Sequence, residues 1–466
     1  MTRARTLKFL PILIASVVCS TLAFAQKQAP PAGGPPKPFT LPPHETYALG
    51  NGMKVTLVPY GNIPKVTVSV VLRTGNINEP KDELGVADIT GELLKEGTTS
   101  LSAAALAEAA AKMGSSLGIG VTEDITSADI DVLSESGADA VKLLAGVMQH
   151  PLLPDSELPR IKTNMLRHIA VAKSQPSQIA LARFRKLMYG DHPYGEILPT
   201  EESVNKLTIA DVKKFYSENY GAARAHVYVA GEFDTSAVKK AIADSFSGWA
   251  KGPAPADHVP KPKAQRLLDL TDRPGAPQST LYVGLPVPNA TSPDSVKLIV
   301  TNALLGGSFA SRITSNIREQ KGYTYSPRSQ ISNRYHDAYW VEVADVRTDA
   351  TGPALKEIFG EIERLQKEAP STGELQGIQS YLSGVFVIQN SSRQALIGQL
   401  RFVDLQGLGE DYLKNYVQRV NAVKPADAQQ VTAQYIRPEV MTIVVVGDKS
   451  KISDQLAPFS GTRPTN

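Results

Sequence analysis

Two stretches of this chain place reactive side chains at spacings that chemistry can use. In the first, Asp88 and Glu92 stand four residues apart within Gly85-Val-Ala-Asp-Ile-Thr-Gly-Glu-Leu-Leu-Lys-Glu-Gly-Thr98. On a helix that spacing puts both carboxylates on one face. There they are either oxygen ligands for a cation or plain solvated carboxylates. In the second, Leu304-Leu-Gly-Gly-Ser-Phe-Ala-Ser-Arg312 leads into Ile317-Arg-Glu-Gln-Lys-Gly-Tyr-Thr-Tyr325. Taken alone, Gly306 and Gly307 suit a tight turn, Arg318 a helix C-terminus and Tyr325 a packed strand. Thiol chemistry has no place in the expected mature chain, because the only cysteine is Cys19.

The elements that must hold these residues follow from hydrophobic patterning. Lys54 to Val58, Val66 to Leu72 and Ile125 to Leu133 read as strands, as do Thr280 to Leu285 and Tyr339 to Val343. Helices are expected at Leu84 to Lys95 and Leu101 to Met113, then near 138–148, 155–173, 292–304, 352–368 and 372–389. A helix opening at Asp211 precedes an apolar run closed by Gly231, and a helix opening at Asp427 precedes one closed by Gly447. Both pairs are 216 residues apart, which points to an internal duplication. Strands mixed with helix pairs, without strict alternation, predict an α+β fold rather than a doubly wound parallel sheet. The expected organisation is two homologous domains, each a mostly antiparallel or mixed sheet packed with helices.

The first 25 residues read as an export signal: Arg3, Arg5 and Lys8, an apolar run from Phe9, and the small-x-small close Ala23-Phe24-Ala25. Without them the formal charge falls from +3 to zero, leaving 46 residues of each sign. That excludes a nucleic-acid footprint, which needs clustered positive charge. Seven of the fifteen residues from Ala29 to Pro43 are proline, which makes a stiff extended leader. A second Pro-rich stretch, Lys251 to Lys263, divides the remainder. The boundaries expected are signal 1–25, leader 26–44, first domain 45–250, linker 251–265 and second domain 266–460. No later apolar run is long enough to span a membrane.

The landmarks Gly75-Asn-Ile-Asn-Glu-Pro80, Gly85 to Thr98, Asp191-His-Pro-Tyr-Gly195 and the strand ending at Gly231 resemble those of the pitrilysin/insulinase metallopeptidases, in the same order. Members of that family carry the inverted zinc motif H-x-x-E-H between the Gly and Gly-Thr markers. In this chain the two His positions are Asp88 and Glu92, the Glu position is Gly91, and the distal ligand position is His168. The resemblance therefore implies a lost zinc site and a lost general base. It leaves open a site of two carboxylates and one imidazole at Asp88, Glu92 and His168 for an adventitious metal. The second-half signature is similar to the family's as well. By that likeness Arg318 grips a substrate carbonyl, Tyr325 donates to the oxyanion, and the Gly306–Gly307 loop lies near substrate. Tyr323 is a second phenol nearby, at a position the family usually fills with an apolar residue. The stretch Gly118 to Leu133 corresponds to the family's chamber-wall strand, onto which an extended peptide adds.

The expectation is a non-catalytic subunit, exported to the periplasm or the extracellular space, with no cofactor of its own. Zinc is expected in a partner subunit of the same family, and the substrate would be an unfolded peptide. A peptide-binding or scaffold protein of the same fold is the alternative, and a metalloenzyme using Asp88, Glu92 and His168 is a third reading.

Overall fold

The computed structural model describes residues 39–460. The expected signal and the leader up to residue 38 lie outside them. Val-rich segments of alternating polarity form the strands, as their β-branched side chains favour. β1 (Glu45–Ala48), β2 (Lys54–Pro59), β3 (Lys65–Leu72), β4 (Gly118–Val121), β5 (Thr126–Leu133) and β6 (Ala225–Gly231) make one sheet in the order β1-β2-β6-β3-β5-β4. β7 (Leu267–Asp272), β8 (Gln278–Pro286), β9 (Arg328–Arg334), β10 (Asp337–Arg347) and β11 (Thr442–Gly447) make a second, ordered β7-β11-β8-β10-β9. Each sheet holds one parallel pair, β2 with β6 and β7 with β11, and is otherwise antiparallel. Leaving out β1, the two orders are the same. The sheets repeat one another, as the 216-residue offset implied, and the fold is α+β with mixed sheets.

The repeat extends to the helices that precede β6 and β11. Asp211 accepts from the Thr208 amide at 2.7 Å, and Asp427 accepts from the Lys424 amide at 2.9 Å. Each carboxylate satisfies an amide that the first turn of its helix leaves without a partner.

The halves interlock by exchanging a helix. Pro176–Tyr189, from the first half, places Ala180, Phe184 and Met188 against Tyr282, Tyr339 and Val444 of the second sheet. Arg393–Leu405, from the second half, buries Leu396 and Leu400 in a core shared with Val58, Val71 and Tyr228 of the first sheet. Polar contacts fix the second crossing: Arg393 meets Asp131 at 3.1 Å, and Asp404 meets His226 at 3.2 Å and Lys54 at 2.7 Å. The Pro-rich stretch is pinned along the first half. Arg224 donates to the carbonyls of Pro253 and Ala254, and Arg73 pairs with Asp257 at 2.6 Å. The described end of the leader also docks, with Leu41 buried and the Phe39 ring 4.9 Å from Phe386. Among the described residues no helix is long and apolar enough to cross a membrane.

Several elements differ from expectation. The helix expected at Leu84 to Lys95 is shorter, Val86–Leu93, because Gly85 precedes it with φ +95. The helix expected at 292–304 is α-helical over Ser295–Asn302 and then widens into a π-turn, Ala303–Gly307. The helix expected to end at Arg318 is three residues of α-helix, Arg312–Thr314, followed by a π-turn over Ser315–Gln320.

Candidate functional site

The helix Val86–Leu93 buries Val86, Ala87, Ile89, Thr90 and Leu93, which leaves Asp88 half-buried and Glu92 exposed. Its first turn is capped by a side chain from outside: Glu79 accepts from the Gly85 amide at 3.0 Å and from the Ala87 amide at 2.9 Å. Burial pushes the Glu79 carboxyl up to about 8, with Asp88 adding to the shift and those amides opposing it. Asn76 bridges the two acids, donating to Asp88 at 2.8 Å and to Glu79 at 3.3 Å. Burial also lifts Asp88 above the usual carboxylate range, and Glu92 and Glu123 add to the shift. Glu92 is taken by Lys95 at 2.7 Å.

Asp88, Gly91, Glu92 and His168 line one cavity of about 470 Å³, walled by Ile119, Val121 and Met165. The structure thus brings together the residues that the sequence aligned with the zinc motif, but not as ligands. Asp88 holds an amide, Glu92 holds an ammonium, and His168 is exposed on the helix Leu158–Ser174. Among the described residues no three His, Cys, Asp or Glu side chains are grouped to hold a metal ion. The carboxylate and imidazole donors are of types that bind metals, but as placed the three are not grouped as one ligand set.

The loss at Gly91 is also steric. A Cβ built at Gly91 would lie 2.6 Å from Val121 Cγ2, far inside ordinary carbon contact. Edge strand β4 has closed over the position where the motif's base belongs. β4 pairs with β5 alone and is the last strand of its sheet, so its outer backbone edge faces away from the ladder. Its role as the expected peptide-adding strand requires such an edge.

In the second half, Gly306 and Gly307 are explained by close approach. A Cβ at Gly306 would lie 2.5 Å from Glu342 Oε2 and 2.6 Å from Ser329 Oγ, and one at Gly307 would lie 2.4 Å from Asn302 Nδ2. Gly306 is buried and Gly307 half-buried. Arg318 and Tyr325 are brought together: the guanidinium carbon lies 5.0 Å from the phenol ring centre. Tyr325 does not pack in a strand; it sits in the loop before β9 with 78% of its surface exposed. Arg318 Nε lies 3.1 Å from Glu319. Tyr323 packs against the second-half core, and its backbone is held between Ile317 and Arg347. It takes the apolar role expected there and leaves Tyr325 as the free phenol.

Sequence reasoning missed three contributors: Glu79 as cap, Val121 as plug, and Phe309, whose ring centre lies 4.5 Å from the Arg318 guanidinium carbon. Only Phe309 carried a local signal, a lone aromatic in a run of small residues after the Gly-Gly turn.

Comparison with known proteins finds similarity to one peptidase family along most of the chain. The family described as "Insulinase (Peptidase family M16)" matches residues 55–201, and the "Peptidase M16 inactive domain" matches residues 206–382. A "non-peptidase homolog YmxG" from Helicobacter pylori is 22% identical over 414 residues, 86% of this chain and 94% of that protein. An "uncharacterized zinc protease YmxG" from Bacillus subtilis is 25% identical over 370 residues, 77% and 90% of the two chains. The crystal structure of a peptidase M16 inactive domain from Pseudomonas fluorescens aligns with TM-score 0.80 at 25% identity, covering 87% of this chain and 98% of that one. That of a protease from Helicobacter pylori aligns with TM-score 0.82 at 23% identity, covering 88% and 100%.

Proposed function

Because this chain belongs to the insulinase, or M16, peptidase family, we propose that it is the non-catalytic subunit of an exported zinc-peptidase pair, lending Arg318 and Tyr325 to a zinc-bearing partner. One observation carries the reading. The position of the catalytic base is a glycine pressed against Val121, while Arg318 and Tyr325 lie together with the phenol exposed. One relative, from Helicobacter pylori, carries the name non-peptidase homolog, which supports the reading.

In the pair, zinc held by the partner supplies the Lewis acid. This chain supplies donors. The Arg318 fork binds a peptide carbonyl, and the Tyr325 hydroxyl donates to the oxygen on which charge develops. Neither role needs a metal in this chain. The unfolded peptide would lie along the outer edge of β4 as an added strand, bound through backbone groups and not by sequence. Localisation to the periplasm or outside the cell follows from the signal-like first 25 residues.

Assembly with the zinc-bearing subunit and assay on a quenched fluorogenic peptide tests the proposal. Arg318→Ala is expected to lower turnover of the pair at least tenfold. Turnover within twofold of wild type refutes the role. The open edge of β4 also supports a second reading, a peptide-binding scaffold with no catalytic share. That reading holds if the chain binds the peptide but leaves the partner's turnover unchanged.

A further inference from the structure

The Gly306–Gly307 turn has a consequence beyond its own packing. The turn Ala303–Gly307 is pressed against Ser329, Glu342 and Asn302, and from there the chain runs outward through Ser308 to Phe309. Phe309 is 69% exposed. An apolar ring left largely in water gains little from burial, so core packing does not account for it. Its ring lies instead against Arg318, 4.5 Å from the guanidinium carbon, while the Tyr325 ring lies 5.0 Å from the same carbon. Glu319 lies beside Nε. Among the described residues the terminal nitrogens of Arg318 make no hydrogen bond within the chain, so they are free to donate elsewhere. A long side chain on a π-turn loses substantial rotamer entropy when it is fixed, and one adjacent carboxylate is a weak restraint. A cation over an aromatic face restrains the plane of the guanidinium as well as its position.

We infer that Phe309 is the positioning residue for Arg318: its ring holds the guanidinium so that both terminal nitrogens are presented to a peptide carbonyl in the partner's site. This rests on the reading of Arg318 given above. It also assigns a purpose to the two glycines, which deliver Phe309 to the guanidinium and need not touch substrate. Phe309 touches Arg318 and not the reacting atoms; with the peptide held mainly through backbone groups along β4, its loss misorients one carbonyl contact and falls on kcat more than on KM.

Four variants test this in the assembled pair with a quenched fluorogenic peptide: Arg318→Ala, Phe309→Ala, Phe309→Leu and Phe309→Tyr. Phe309→Ala is expected to lower kcat roughly two- to thirtyfold, the span from an exposed to a desolvated cation–π contact, with KM within twofold. Phe309→Tyr restores kcat to within twofold of wild type, and Phe309→Leu, which keeps bulk without a π face, does not. The exposed position keeps the thermal midpoint of all three Phe309 variants at the wild-type value. In the isolated chain the Arg318 Nε–H NMR signal is expected to shift in Phe309→Ala and Phe309→Leu and to return in Phe309→Tyr. Phe309→Ala or Phe309→Leu at wild-type kcat, while Arg318→Ala is impaired, overturns the positioning role and leaves the proposed function standing. Arg318→Ala at wild-type turnover overturns both.

Discussion

Replacing Gly91 by alanine separates steric closure of the old base position from simple loss of a side chain. Two opposing effects are at work. In a helix interior alanine is favoured over glycine by about 1 kcal/mol. Against that, the new methyl would lie 2.6 Å from Val121 Cγ2, about 1 Å inside ordinary contact. Overpacking of this kind costs about 1–3 kcal/mol. Val121 is β-branched and cannot rotate freely out of the way, although β4 is an edge strand and can shift outward. The expected net effect of Gly91→Ala is a loss of about 1 kcal/mol. In a Val121→Ala background the clash is gone, so the same substitution is expected to stabilise by about 1 kcal/mol. A double-mutant cycle read by urea denaturation of the four proteins measures that change of sign. Gly91→Ala with the same effect in both backgrounds would mean that β4 does not close over the helix. Glutamate at position 91 would bring its Cβ against Val121 in the same way, so it is expected to carry the same overpacking cost while Val121 remains.

Three further outcomes follow from other residues. Glu79 is held protonated up to about 8 when folded but ionises from about 4.5 when unfolded, so its contribution is favourable at low pH and is lost as pH rises between those values. Thermal midpoints at pH 5 and pH 8.5 are expected to fall less for Glu79→Gln than for wild type, and equal slopes would refute the assignment. Burial works against ionisation of Asp404, but His226 and Lys54 outweigh it and hold its carboxyl at about 2, so its contribution is present above 3.8 and is lost as pH falls toward 2. Asp404→Asn is expected to cost roughly 1 kcal/mol at pH 7 after allowance for its partial exposure, with the difference from wild type shrinking on acidification, read by denaturation at pH 7 and pH 3. Tyr325→Phe removes a hydroxyl from an exposed ring, so the thermal midpoint should not move while turnover of the pair falls roughly a hundredfold, as for loss of one oxyanion donor.

Much of the frame was legible because burial imposes periodicity. The Val-rich runs at 54–58 and 66–72 could be little else but strands, and one 216-residue offset exposed the repeat that the matching sheet orders display. The lost motif was legible for the same reason that any motif is: Asp88, Gly91 and Glu92 stand where types and spacing are specified by chemistry. What escaped was tertiary. The exchange of the helices Pro176–Tyr189 and Arg393–Leu405 depends on which apolar face meets which sheet, and amphipathic patterning does not name the partner. The π-turns at Ala303–Gly307 and Ser315–Gln320 have no sign in composition, although the first is closely packed around its glycines. The resemblance gave one strand over Gly118 to Leu133, but the chain forms two, and the short, glycine-rich β4 carried no pattern to show that its last residue plugs the space over Gly91.

Among the described residues this chain groups no side chains to hold a metal ion, and it has Gly91 where the motif's base belongs. Purified alone and incubated with zinc and a quenched fluorogenic peptide, it is expected to release no fluorescence above a buffer control. Cleavage that is abolished by a chelator, restored by zinc and lost in Asp88→Asn would contradict the account directly.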